Sequence, residues 1–480
     1  MSIKTIDKPM RGSAGIAKKI NKGAEKMVFD ILQSTQYSMP VQSTIRELVT
    51  NACDSQREKE VAIEILMGQK KVEDYYIERH GAQYEDSNFD INYYNRDHLD
   101  TASEIDLVYT KNEGVGYCDT FAVTDYGVGI GARRLEGILE LGYSTKRNTS
   151  ENFGAFGLGA KAALSTGVDF YTIETVYNGM RFKCNCYNYK TDFIIPAFNV
   201  KTGQQNPFVI FNDGTKVHYV TTYSTNQTTV SFGVKKHNRN KFEEAVEEQL
   251  MYFDNVNFKT VDAEDDNYTR NVNFKAEILY NSKNLIVSDS HYYNKPHIVL
   301  VKDKDSATGI NYGYIDFKEL EMEQMYGSIA FKCPARQVIT NEDGTETVLQ
   351  EGVDVTPSRE KVIWNEATKN YIKGVVMAAA QEASDIIEEE LQETDFLKWI
   401  NACRAIVSNN NSENKILSRL ARIIDTEALK PKFSPDPRIK YGPISQLFEG
   451  LTIMEPVKTK DDIKREVVKM WGSFDAKHFY

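Results

Sequence analysis

The sequence has little cysteine, six residues in 480. Cys53, Cys118, Cys184, Cys186, Cys333 and Cys403 are too few and too scattered for a disulfide framework, and they suit a reducing cytosol. Cys184-x-Cys186 has no second Cys or His pair at zinc-site spacing, so it reads as two strand cysteines. No apolar run approaches the roughly 20 residues needed to span a bilayer. The N-terminal stretch MSIKTIDKPMRGSAGIAKKINKG carries basic residues but no apolar segment, so it does not read as a secretory signal. An excess of basic charge is also missing. Lys and Arg number 58 against 69 Asp and Glu, a formal balance of −11. That balance weighs against a protein whose main task is to coat nucleic acid, though it leaves room for a local basic patch. No repeat recurs at a fixed period, and no heptad pattern persists.

What is present is ordinary globular chain, 41% hydrophobic and 26% charged. At about 100–200 residues per domain, the length implies two to four domains. Residues 1–25 read as a flexible arm, and 26–60 as two helical patterns split at Met39-Pro40. Residues 61–110 read as a polar, tyrosine-rich insertion. From Phe121 to about Phe232 the pattern is strand, loop, helix, then several strands, with hairpin signals at Asn178-Gly179 and Asp213-Gly214. Near 234 the texture changes. An amphipathic helix (VKKHNRNKFEEAVEEQLMYF) leads into strands NFKAEILY, PHIVLVKD and INYGYIDF and a helix from about Glu366 to Leu391. Beyond 392 the chain reads as helical and Asn/Pro-punctuated. The expected units are therefore 1–233, 234–391 and 392–480.

Four local signals carry chemistry. In STIRELVTNACD, helical offsets of four and seven bring Glu47, Asn51 and Asp54 within about 60° of one another. Ile45, Leu48, Val49 and Ala52 fall on the opposite face. The plain alternative is a capping box, Thr44-x-x-Glu47, on a solvated face. In FAVTDYGVGI a strand ends at Asp125, and Gly127 and Gly129 permit a tight turn. A carboxylate placed there can accept from an exocyclic amine such as that of adenine. It is equally an Asx-type turn. In GYSTKRNTSENFGAFGLGAKAAL, glycines feed a helix expected at about 158–166, whose N-terminus suits an anion. Lys146 and Lys161 flank it, and the polar stretch between has the composition of a lid. The pattern lacks GxxxxGK[ST], so it is no Walker A loop. The fourth signal is Asn212-Asp213-Gly214-Thr215, which alone reads as a hairpin.

In this order the four resemble the sequence boxes of the GHKL ATPase superfamily, the Bergerat fold, over roughly residues 26–225. The resemblance implies an α+β protein. A Bergerat α/β sandwich comes first, then a ribosomal-S5-like α/β domain and a small, mostly helical C-terminal region. It implies ATP and Mg²⁺, with Glu47 as general base and Asn51 as the Mg²⁺ ligand. Asp54 helps organise the site. Asp125 accepts from the adenine amine, with Gly129 packed near the base and Gly127 among the nucleotide-binding residues. Gly154, Gly157 and Gly159 serve as lid glycines, Lys146 and Lys161 flank the phosphates, and Thr215 lies near an adenine-bound water. Mg²⁺ keeps several waters and takes phosphate oxygens, so one Asn carbonyl suffices as a protein anchor.

A fifth signal, TPSREKV at 356–362, resembles the Ser-Arg-Glu loop of the chaperone branch, which implies that Arg359 reaches the γ-phosphate. Its plain reading is a solvated Arg before a helix. No Gln-Thr-Lys tripeptide of the topoisomerase kind occurs, and the chain stops short of a DNA-gate domain. No His precedes His80, which removes the histidine-kinase reading. RELVTNACDSQ, FGLGAKAAL and TPSRE together resemble the phage rIIA-like group. That resemblance implies a phage protein in the host cytoplasm, a homodimer gated by nucleotide, and a host protein as candidate partner. A MutL-like DNA clamp and a non-catalytic interaction protein stay open as alternatives. So does a peripheral membrane contact.

Overall fold

The computed structural model describes residues 38–71, 94–114, 118–138, 159–187, 190–265, 268–289, 295–301, 305–322, 327–340, 345–356, 361–391 and 415–424. The N-terminal arm, residues 72–93 of the 61–110 insertion, Lys146, Gly154, Gly157, Arg359 and most of the C-terminal region lie outside them. The fold is α+β, with several sheets and few helices among the described residues.

The first helix, α1, runs Pro40–Leu66. Proline at its start is placed where an N–H would find no partner anyway. The capping box does not form, because Thr44 lies inside the helix and its hydroxyl reaches the carbonyls of Pro40 (2.7 Å) and Ala162 (2.9 Å). Beside α1 lies a nine-stranded sheet of order β11-β10-β1-β2-β9-β3-β4-β5, with β8 on β4. Its central strands are β1 (Ile105–Lys111), β2 (Asp119–Asp125), β3 (Phe170–Tyr177), β4 (Met180–Tyr187) and β9 (Gln227–Val234). Short strands β5 (Thr191–Phe193) and β8 (Val220–Thr221) extend it at one side. The small β6 (Phe208–Ile210) and β7 (Lys216–His218) pair only with each other.

Period-two alternation decides which side chains enter the core. On β2 the residues Asp119, Phe121, Val123 and Asp125 are buried, and those between them are less so. Helix α3 (Arg239–Leu250) drops Phe242 onto this face, 5.2 Å from the ring of Phe121 and 5.9 Å from that of Phe232. Between β2 and β3 lie the short helix α2 (Ala132–Ile138) and a 3-10 turn, Gly159–Thr166.

The sheet does not end at residue 233. Strand β10 (Val256–Asp262) pairs in parallel with β1, and β11 (Thr269–Asn271) pairs with β10. The helix expected to open a second unit thus packs under the first sheet, and a second sheet starts only at β12 (Glu277–Asn281). That sheet runs β12-β13-β16-β14-β15, through β13 (Leu285–Asp289), β14 (His297–Val301), β15 (Gly309–Tyr314) and β16 (Ile329–Cys333). Strands β14 and β16 are buried throughout, as strands covered on both faces are. Helix α4 (Glu366–Leu391) packs on β16, and α5 (Lys415–Ile424) packs on α4, β12 and β13. Lys415 holds Asp289 at 2.7 Å, and Arg419 holds it from one turn along. A last hairpin joins β17 (Gln337–Thr340) to β18 (Glu346–Gln350). No helix among the described residues is long and apolar enough to cross a membrane.

One ion cluster ties α3 to the sheet. The Asp119 side chain is fully buried and receives Arg239 through Nε (2.9 Å) and Nη2 (3.1 Å), the Tyr109 hydroxyl (2.8 Å) and the Asn112 N–H (2.9 Å). Burial pushes this carboxyl up, but the Arg239, Asn112 and Tyr109 hydrogen bonds outweigh it and hold it below the usual carboxylate range. A lowered folded-state pKa gives stability that is present above the unfolded value, about 3.9, and is lost as pH falls through the folded one. Asp119→Asn is expected to lower the unfolding free energy at pH 7 by about 2–3 kcal/mol. The same variant flattens the acid limb of stability below about pH 4. Urea denaturation across pH measures both effects.

Candidate functional site

Helix α1 is buried along most of its length. Ile45, Leu48, Val49 and Ala52 enter the core as expected. The polar face is largely withdrawn from solvent: Glu47 is 9% exposed, Asp54 is 4% exposed, and Asn51 is half-buried between them. Buried polar groups must be matched, and the matches fix where the helix lies. Its first turns are tied through Thr44 to the 3-10 turn at Ala162, whose neighbours Ala163 and Leu164 are buried. Arg46 donates to Gln249 of α3 and to Ser43, both at 3.3 Å, and lies 5.7 Å from the Tyr312 ring of β15. Further along, Glu58 receives Arg134 of α2 in a bidentate pair (2.6 and 3.2 Å) and the Tyr94 hydroxyl. Lys59 donates to the carbonyls of Tyr126 (2.8 Å) and Ala102.

The turn after β2 docks on this helix. The Gly127 N–H donates to Asp125 Oδ1 at 3.0 Å, which is the Asx-type turn. The Val128 N–H donates to Ser55 Oγ of α1 at 3.2 Å. A Cβ at Gly127 would lie 2.0 Å from Ser55 Oγ and 2.7 Å from Asp125 Oδ1. Gly129 has φ +72°, and a Cβ there would lie 2.2 Å from the Val176 carbonyl oxygen. Each glycine is therefore required by contact with named atoms.

Register adds what local sequence could not. Asp125 stands opposite Thr228 of β9, and Thr228 stands opposite Thr175 of β3. All three are buried, Asp125 at 7%, Thr228 at 6% and Thr175 fully. The next rows inward are Val123-Val230-Ile173 and Phe121-Phe232-Tyr171. A polar row thus ends an apolar core beneath the turn. The Thr175 hydroxyl accepts from the Ile130 N–H at 2.8 Å and lies 3.2 Å from Thr228 Oγ1. Thr215 is elsewhere. It is exposed in the β6–β7 hairpin, with its N–H and hydroxyl both on Asp213 (2.8 and 2.9 Å). The plain hairpin reading of Asn212-Asp213-Gly214-Thr215 is the one that forms. The only sequence signal for Thr228 is an alternating run, QTTVSFGV, which carries no mark of function.

The glycine-fed helix expected at about 158–166 is a 3-10 helix, Gly159–Thr166, wound more tightly than an α-helix and tied to α1 through the Ala162 carbonyl. Among the described residues, no group of three or more His, Cys, Asp or Glu side chains is arranged to hold a metal ion. No protein-family model matches the chain, and no curated protein matches it.

The turn's dependence on bare backbone is directly testable. Gly129→Ala forces a left-handed conformation and a clash with the Val176 carbonyl, and should cost about 2–4 kcal/mol. Urea denaturation of the variant measures this, and unchanged stability would contradict the packing described.

Proposed function

We propose that the chain is an ATP-binding, Mg²⁺-dependent conformational switch of the GHKL class that hydrolyses ATP slowly. The observation that carries the reading is the docking of the Asp125-Tyr-Gly127-Val-Gly129 turn against Ser55, on the same helix that presents Glu47, Asn51 and Asp54. A base-binding carboxylate and a phosphate-side helix are thereby held as one piece. The ionised Asp125 is acceptor-only, which suits an exocyclic amine donor. Thr228, its cross-strand neighbour, replaces Thr215 in the reading as the hydroxyl beside the base.

The donor set fits a hard cation. The Asn51 carbonyl would hold Mg²⁺ together with phosphate oxygens, and the cation would supply charge neutralisation at the phosphates. Glu47, one turn before Asn51, would take the proton from the attacking water. Gly154, Gly157, Gly159, Lys146 and Lys161 would cradle the phosphates, and Arg359 would report the γ-phosphate to the rest of the chain. Nucleotide-gated pairing of two protomers, a ribosomal-S5-like second sheet and an rIIA-like role in the host cytoplasm belong to the same reading. A DNA clamp is less well supported. In the basic cluster from Lys235 to Lys241, Arg239 is engaged by Asp119 and Glu113, and Lys236 by the Gly114 carbonyl.

Two experiments test this. Glu47→Ala should lower Mg²⁺-dependent phosphate release by at least about 100-fold while ATP still binds, because general-base removal spares ground-state contacts. Asp125→Asn should abolish ATP binding in a folded protein. Equal turnover in the first, or retained affinity in the second, removes the corresponding role. Separately, Thr228→Val should raise the ATP Kd about fivefold to tenfold, and Thr215→Val should leave it unchanged. The reverse pattern, read by calorimetric titration, would restore Thr215.

A further inference from the structure

Lys59 is the least expected member of the site. It is 1% exposed on α1, and its ammonium donates to the Tyr126 carbonyl at 2.8 Å and to the Ala102 carbonyl. A lysine is rarely buried this far without a partner of opposite charge at contact distance. Here the contacts are carbonyls, and their placement is informative. The Tyr126 C=O and the Gly127 N–H are the two ends of a single peptide group. At its other end that N–H donates to Asp125 Oδ1 at 3.0 Å. Ammonium, peptide and carboxylate therefore form a head-to-tail chain of three charged or dipolar groups, which polarise one another in a buried setting. Burial lowers the proton affinity of Lys59, and the carboxylates of Asp100, Glu60, Asp125 and Glu104 oppose that.

Resting on the ATP reading above, we propose that Lys59 is a positioning residue for base recognition. It fixes the Tyr126–Gly127 peptide and, through it, the orientation and negative charge of the Asp125 carboxylate. Lys59 itself touches no ligand. Its effect falls on the one contact that tells an amino group from a carbonyl on the purine. An ionised, correctly turned carboxylate accepts from the 6-amino group of adenine and repels the 6-oxo group of hypoxanthine. With Lys59 neutralised, a carboxylate buried beneath the turn gains proton affinity, and its oxygens are no longer held in one orientation.

The test compares ATP with inosine triphosphate, which differs at that position, by calorimetric titration of the full chain. Wild type is expected to prefer ATP. Lys59→Met, which keeps the stem and removes the charge, should weaken ATP about tenfold and leave inosine triphosphate unchanged, so the preference collapses. Lys59→Gln keeps a donor to the carbonyls without the charge, and should show a smaller loss; it carries the test if the methionine variant does not fold. A preference as large as that of the wild type in either variant overturns the proposal. So does equal weakening of both nucleotides, the mark of a merely structural lysine. Wild-type protein that shows no preference for ATP overturns the nucleotide reading itself, and the proposal with it.

Discussion

The structure depends on one constraint: α1 carries charged and polar side chains into a closed interior, and each must be matched there. Leaving one buried charge without a partner costs several kcal/mol, a large share of a domain's whole stability. Arg46, Glu58 and Lys59 meet that demand in three directions. They reach α3 and β15, α2 and Tyr94, and the carbonyls of Ala102 and Tyr126. The helix has one position that satisfies all of them. Glu47, Asn51 and Asp54, lying between Arg46 and Glu58, inherit that position. Hydrophobic packing of Ile45, Leu48 and Val49 supplies the bulk of the burial, but it would tolerate small slides that the polar contacts do not.

A second consequence follows from strand alternation. Every other residue of β2, β9 and β3 faces the helices, and the face is apolar between Asp119 at one end and the last row at the other. There Asp125, Thr228 and Thr175 replace hydrophobes. In a purely structural sheet this row would cost desolvation with little return. The Thr175 hydroxyl and the Asn226 side chain recover part of that cost by receiving or donating to the Ile130, Val128 and Asn178 backbone, which also sets the path of the turn. The same groups that end the core therefore fix the turn that borders the candidate site.

Which parts were legible in the sequence follows from how local each one is. Glu47, Asn51 and Asp54 could be grouped because helical periodicity acts within seven residues. Asp125, Gly127 and Gly129 could be grouped because one turn contains them. Thr228 could not, since its place beside Asp125 is a register fact between strands about a hundred residues apart in sequence. Thr215 sat in a stronger local pattern and drew the assignment instead. The same reason explains residues 234–271. Their helix and strand pattern was readable, but the parallel pairing of β10 with β1 was not, so the change of texture near 234 looked like a boundary. The capping box at Thr44 and the α-helix after Gly159 were plausible local choices that tertiary contacts displaced.

The charge balance takes on a different meaning in this setting. A total of −11 describes the surface poorly when several cations are internal. Arg46 and Lys59 are almost fully buried, and Arg134 and Arg239 are largely so, each engaged with specific acceptors. These groups hold the frame and are not available to a diffusing polyanion. A triphosphate entering the proposed site would then be met by the lysines and glycines around the Gly159–Thr166 turn and by Arg359. In the proposed site the frame's cations would act at one remove, by fixing the peptide groups and carboxylates that a nucleotide would touch. Lys59 is the clearest case, because its charge is separated from Asp125 by a single peptide group.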